Sequence, residues 1–169
     1  MRSRRTTGAP QRALGWACLL ATALACAAEP DAEALRAAPV APRVRVSVGM
    51  HVIEAELAAD ADARARGLSG RAGLAPGAGM LFVYERPDHY GFWMQGMRFD
   101  LDLVWIRAAR IVDIKAHVPH TPPPTGELPV HRPKEPADTV LEVAAGTAAR
   151  LGWQVGDPVS VEPLEEPGS

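Results

Sequence analysis

Residues 79–107 read GMLFVYERPDHYGFWMQGMRFDLDLVWIR, and this stretch decides the fold class. Met80–Tyr84 is a short apolar run entered through Pro76-Gly77-Ala78-Gly79, residues that favour turns. Glu85–Asp88 carries Pro87 and reads as a loop, while Tyr90–Met94 is aromatic and apolar until Gly96 breaks it. Leu101–Arg107 and Ile111–Ala116 are two strand patterns separated by a few residues, which predicts a hairpin. A period of two places Leu101, Leu103 and Trp105 on one face and Asp102, Val104 and Ile106 on the other. A strand apolar on both faces is covered on both sides, with Asp102 near a rim.

Outward from this centre, Val44, Val46 and Val48 alternate with Arg45 and Ser47, a first strand that Gly49 interrupts. His51–Leu57 continues as a strand of unclear register. Asp60–Leu68 changes period and predicts a short helix. Asp60 is its N-cap, Ala61, Ala65 and Leu68 form its apolar stripe, and Arg64 and Arg66 face out in i,i+4 pairs with Asp60 and Asp62. Arg71–Gly79 is glycine-rich but lacks the lysine and hydroxyl ending of a phosphate-cradling loop, so its glycines serve turns. Val118–Ala137 is too dense in proline for a central ladder and reads as a long surface loop. Thr139–Ala144 returns to β, Gly146–Leu151 is a helical turn with Thr147 as cap, and Val159–Val161 is a last strand. The expected fold is mostly β (α+β). It is a single compact domain on a curved, largely antiparallel sheet or partly closed barrel, with one or two short helices.

Residues 1–28 have the plan of an export signal: a basic start at Arg2, Arg4, Arg5 and Arg12, an uncharged run from Ala13 to Ala28, and small residues at its end. Ala25-Cys26-Ala27 fits ordinary signal peptidase, whereas Ala23-Leu24-Ala25-Cys26 resembles a lipobox that would make Cys26 a lipid attachment point. The soluble periplasmic product is the favoured reading. Residues 29–42 then form a tether, 43–164 the globular domain and 165–169 a polar tail. After residue 28 the chain carries 14 basic and 20 acidic residues, near −6, which speaks against a nucleic-acid partner. Cys18 and Cys26 are the chain's two cysteines, so the domain has no disulfide and no thiolate chemistry.

Three functional readings stand. In the first, a non-catalytic envelope binding or accessory domain, Tyr90 and Trp93 supply apolar area in an aromatic-lined pocket. Arg71, Gln95, Arg98 and Asp102 orient a small-molecule, peptide or glycan ligand. Gly96, close behind Trp93, lets backbone approach closely, so this turn is expected to border the pocket. In the second, a small hydrolase, Asp100 and Asp102 share a strand face with Cα atoms roughly 6–7 Å apart and act as an acid–base pair. Asp113 on the next strand would approach them. In the third, Met94 and Met97, with Met80 and Met50-His51, or His117 and His120 with Asp113 or His131, hold copper or another metal. The leading reading needs no cofactor and expects a monomer, with lipid at Cys26 as the sole route to membrane contact under the lipobox alternative.

The series Gly67-Leu68, Gly79-Met80-Leu81-Phe82-Val83, Phe92-Trp93-Met94, Leu101-Asp102, Ile111-Val112, Val140-Leu141-Glu142-Val143, Ala145-Gly146 and Gly156-Asp157 resembles the bacterial and archaeal family called domain of unknown function 192. The resemblance runs from about Ile53 to Val161. It implies a small, mostly β domain with short helices, often exported, and it brings no established activity. The chain departs from the family pattern at Ser69, at Gln95-Gly96-Met97 and at His131-Arg132-Pro133, positions that would shape a polar surface pocket.

Overall fold

A computed structural model describes residues 41–124 and 126–164. The expected signal, Cys26, most of the tether and the tail lie outside the described residues. The elements are β1 (Arg43–Val48), β2 (His51–Ala58), α1 (Ala61–Arg66), β3 (Ala78–Asp88), β4 (Leu101–Arg107), β5 (Arg110–Val118), β6 (Ala137–Ala144), α2 (Thr147–Arg150) and β7 (Val159–Pro163). The strands form one seven-stranded sheet in the order β5-β4-β6-β3-β2-β1-β7. Neighbours are antiparallel except β2 and β3, a parallel pair whose connection carries α1. The two edges meet at one end. Arg110 bridges Pro158, and the amide of Val159 donates to the carbonyl of Ala109 at 2.9 Å. The result is a curved, partly closed barrel with two short helices, as the alternating patterns predict.

Period two then separates two apolar clusters. The inner one joins Val44, Val46 and Val48 of β1 to Ile53, Leu81, Val104, Ile106, Ile111, Leu141 and Val143, with Ala148 and Trp153 packed on it. The outer one holds Met80, Phe82, Leu101, Leu103, Trp105 and Val140, covered by Leu68, Phe92 and Met94. β4 feeds both clusters in the predicted alternation and is buried from Leu101 to Ile106.

Three local expectations are corrected. Glu85–Asp88 is not a loop but the end of β3. Its ladder to β2 stops at Phe82, so the missing amide of Pro87 falls where β3 has no partner on that side. On α1, Asp60 does cap the helix, accepting the Ala63 amide at 2.7 Å. However, Ala61 and Ala65 do not form the inward stripe: Ala61 is exposed, and Ala63 packs against the outer cluster beside Leu68. Arg64 forms no ion pair with Asp60 among the described residues; its Nη1 donates to the carbonyls of Ala59 and Val83, and it lies over Tyr84. At α2, Thr147 is not the cap: Gly146 occupies that position at φ +82°, and no local side chain bonds the helix start.

Candidate functional site

The segment between β3 and β4 crosses the outer face of the sheet and builds an aromatic cluster there. Phe82 meets Phe92 edge to face at 5.0 Å, Phe92 meets Trp105 at 6.3 Å, and Tyr84 stacks on Tyr90 at 3.6 Å. Phe92 is pinned by paired backbone bonds with His131, at 2.8 and 2.7 Å. Beyond Trp93 the chain turns, with Gly96 at φ +72°, a left-handed conformation glycine adopts without strain. The Gly96 carbonyl accepts the Gly70 amide at 2.8 Å, and Ser69 Oγ donates to the Gln95 carbonyl at 3.0 Å. The turn is thus tied to the loop that follows α1.

Between turn, loop and sheet lies a cavity of about 100 Å³, walled by Phe82, Tyr84, Phe92, Trp93 and Met97, with Gly67–Ser69 on the α1 side. The Trp93 indole is 62% exposed and forms its margin. Glu142 also lines it. Glu142 lies on β6 between Met80 of β3 and Leu103 of β4, so apolar side chains flank it in the ladder. It is 6% exposed. Burial alone pushes its pKa up to about 8, with no hydrogen bond or neighbouring charge to offset it. At neutral pH the cavity therefore contains a neutral carboxyl group.

Of the ligand candidates read from the sequence, Trp93 lines this cavity and the others do not. Arg71 makes a bidentate pair with Glu56, with Nη2 2.7 Å from Oε2. Tyr90 donates its hydroxyl to the Arg86 carbonyl at 2.9 Å. Gln95 is exposed and Arg98 lies away from the cavity wall. Asp102 is fully buried, and its oxygens accept the amides of His117 at 2.8 Å, Gly146 at 3.1 Å and Ala148 at 2.9 Å. It is therefore enclosed in backbone donors and not presented to a ligand.

Asp100 lies outside β4, exposed, and its Oδ1 accepts the His120 amide at 2.8 Å and meets the His120 ring at 2.6 Å. That ring hydrogen bond holds the Asp100 pKa below its usual range, the opposite of a general acid. One aspartate buried and the other exposed do not make the expected pair. Asp113 bonds the amides of Ile114 and Lys134, both at 3.0 Å. Among the described residues no three His, Cys, Asp or Glu side chains converge as metal ligands. Met80 and Met94 are buried in the outer cluster, Met97 lines the cavity, and Met50 is exposed beside a separate groove with His51. The His117 ring lies near Gly146, and His131 is buried.

Sequence reasoning places Glu142 within the family pattern but assigns it to no site. The signal is present: a single charge inside Thr139–Ala144, an otherwise apolar strand of the sheet centre.

Comparison with known proteins agrees with this architecture. Residues 44–161 match the DUF192 family, described as an uncharacterized ACR, and the chain belongs to that family. Its fold is similar to the crystal structure of a Sinorhizobium meliloti 1021 protein described as a proposed transcription regulator. The two share 33% identity at a TM-score of 0.61, over 71% of this chain and 92% of that one. It is equally similar to a protein of unknown function from Novosphingobium aromaticivorans DSM 12444, with 33% identity and a TM-score of 0.61, over 70% and 83% of the two chains. No curated protein matches the chain.

Proposed function

We propose that this chain is an exported, non-catalytic domain of the cell envelope that binds a small ligand group in the cavity beside Trp93. The observation that carries the reading is the wall itself. Four aromatic side chains, one of them largely exposed at the margin, surround a space that retains a buried carboxyl group without a partner. Apolar walls with one orienting polar group are the ordinary make-up of a recognition pocket. A volume of about 100 Å³ suits a head group or side-chain tip, with the rest of the molecule leaving past Trp93. The acidic balance after residue 28 argues against carrying over the regulator description of the Sinorhizobium protein.

The test is a fragment screen on the isotopically labelled protein followed by amide and indole resonances. Ligands are expected to shift Gly67, Ser69, Trp93 and Met97 together, and Trp93→Ala is expected to weaken them at least tenfold. Shifts clustered elsewhere, or a Trp93→Ala variant that binds as well, overturn the reading.

A further inference from the structure

Resting on the cavity beside Trp93 as a binding site, we infer that the group it takes is a small organic cation, an ammonium head placed against the Glu142 carboxyl and the surrounding aromatic faces. Glu142 is more than nine-tenths buried, lines the cavity, and has no hydrogen-bond or ion-pair partner among the described residues. A carboxyl so placed in a sheet centre is a standing cost to the fold unless something complements it. Phe82, Phe92 and Trp93 add aromatic walls, and ring faces attract a desolvated cation; Tyr84 is already stacked on Tyr90 and covered by Arg64. A ligand carboxylate or phosphate gains no such attraction from the ring faces, and it meets repulsion from Glu142 once that group ionises.

The charged and titratable groups around the cavity fit this assignment. From α1 come Arg64 and Arg66, from β3 Tyr84, and from β6 Glu142 itself; Ser69 adds a hydroxyl. Arg64 is already committed to the carbonyls of Ala59 and Val83 and lies 5.0 Å from the Tyr84 ring centre. Arg66 is exposed. Neither arginine counters the burial of Glu142, whose proton affinity is set by desolvation. Tyr84 is likewise pushed up, first by burial, and stays neutral beside it. Lipid amine, polyamine and lysine side chain share this ammonium chemistry, and longer probes of each kind would separate them once the head group is established.

Because Glu142 holds a proton near neutrality, cation binding must expel it. Affinity for an ammonium ion should therefore rise about tenfold per pH unit from pH 6 to 7 and level off above about 8. The experiment compares n-butylammonium, n-butanol and butyrate, three probes of one shape and different charge, by calorimetry and by the Trp93 indole resonance. Butylammonium is expected to bind with the stated pH dependence and with release of one proton measured across buffers of different ionisation enthalpy. Glu142→Gln is expected to lower its affinity at pH 8 at least tenfold. Binding of butanol or butyrate at Trp93 equal to that of butylammonium overturns the cation assignment but leaves the cavity a binding site. Unchanged binding of butylammonium by Glu142→Gln does the same. Silence of the Trp93 resonance toward all three probes, and toward the fragment screen, overturns both.

Discussion

The carboxylate of Asp102 on β4 accepts the amide of Ala148 at 2.9 Å, so a strand residue caps the helix that begins 45 positions later. Its other oxygen takes the amides of Gly146 and of His117, a residue held at φ +52°. One buried side chain thereby ties β4, β5 and α2 at the same end of the barrel. This explains why Asp102 interrupts an apolar strand, and why α2 starts without a local side-chain cap.

Replacing Asp102 by alanine leaves three donors without an acceptor, and stability should fall by about 3–5 kcal/mol. Asparagine keeps one oxygen for His117 and Gly146 but sets a donor against Ala148, so it should cost about 2 kcal/mol or more. Urea denaturation measures both. A loss under about 1 kcal/mol for the alanine variant would contradict the structural role given to this aspartate.

Glu142 makes folding depend on pH in a definite direction. Its folded pKa is raised to about 8 from an ordinary 4.5, so the folded state holds the proton more tightly. Below the ordinary value both states are protonated and the group is neutral toward stability. As pH rises toward 8 the unfolded chain ionises first, and stability is lost across that window. Glu142→Gln removes this loss, so its advantage over the parent should grow by on the order of 4 kcal/mol between pH 4 and pH 9. Glu56 and Asp100 titrate in both proteins and cancel in the difference. Paired denaturation curves at the two pH values decide it; an advantage that does not change would show that Glu142 titrates normally.

The strands were legible because burial obeys period two. Leu103 and Trp105 against Val104 and Ile106 assign β4 to two clusters from the sequence pattern alone. Asp60 likewise announced its helix. The site was less legible, for a physical reason. Trp93 and Gly96 mark a turn, but what that turn faces depends on tertiary placement: the loop after α1 and a glutamate on a strand 46 residues further on. Arg64 shows the same limit. Its charge and spacing place it outward with Asp60, yet the Ala59 and Val83 carbonyls and the Tyr84 ring, joined only by folding, draw it inward. A charge inside an apolar strand was the one local clue to Glu142, and it identifies a buried acid without saying which cavity it reaches.

Arg71 reads as a ligand-orienting residue in the sequence, but paired with Glu56 it behaves as a clasp in the fold. Its hydrogen bonds hold Glu56 below its ordinary pKa, aided by the charges of Arg71 and Arg43. Both side chains keep substantial solvent contact, at 37% and 29% exposure, so the pair is worth about 1 kcal/mol at most. Arg71→Ala should cost no more than that at pH 7. A depressed carboxyl contributes fully above its unfolded pKa and loses that contribution as pH falls through the folded one, so the cost should shrink as pH drops below the ordinary 4.5 and vanish below the lowered folded value. Binding at the Trp93 cavity should be unchanged. Thermal melts at pH 7 and at a series of acid pH values, with one titration of a cavity ligand, test all three; a weakened ligand would return Arg71 to the site.

The β4–β5 hairpin carries removable strain. Arg107 pairs with Arg110, which leaves Ala108 and Ala109 as a two-residue turn, and both have positive φ, +48° and +57°. That is the mirror-image turn a right-twisted hairpin requires, and it is suited to asparagine and glycine. For alanine each left-handed residue costs roughly 1–2 kcal/mol. The register cannot slip to relieve it, because the Ala109 carbonyl accepts the Val159 amide at 2.9 Å and Arg110 bridges Pro158 where the barrel closes. Ala108→Asn with Ala109→Gly should therefore stabilise the protein by about 1–2 kcal/mol after the extra freedom of glycine in the unfolded chain is subtracted. The midpoint of urea denaturation should rise with its slope unchanged. A neutral or destabilising result would mean that the closing bonds at Val159 and Pro158, rather than turn chemistry, set the energy of this corner.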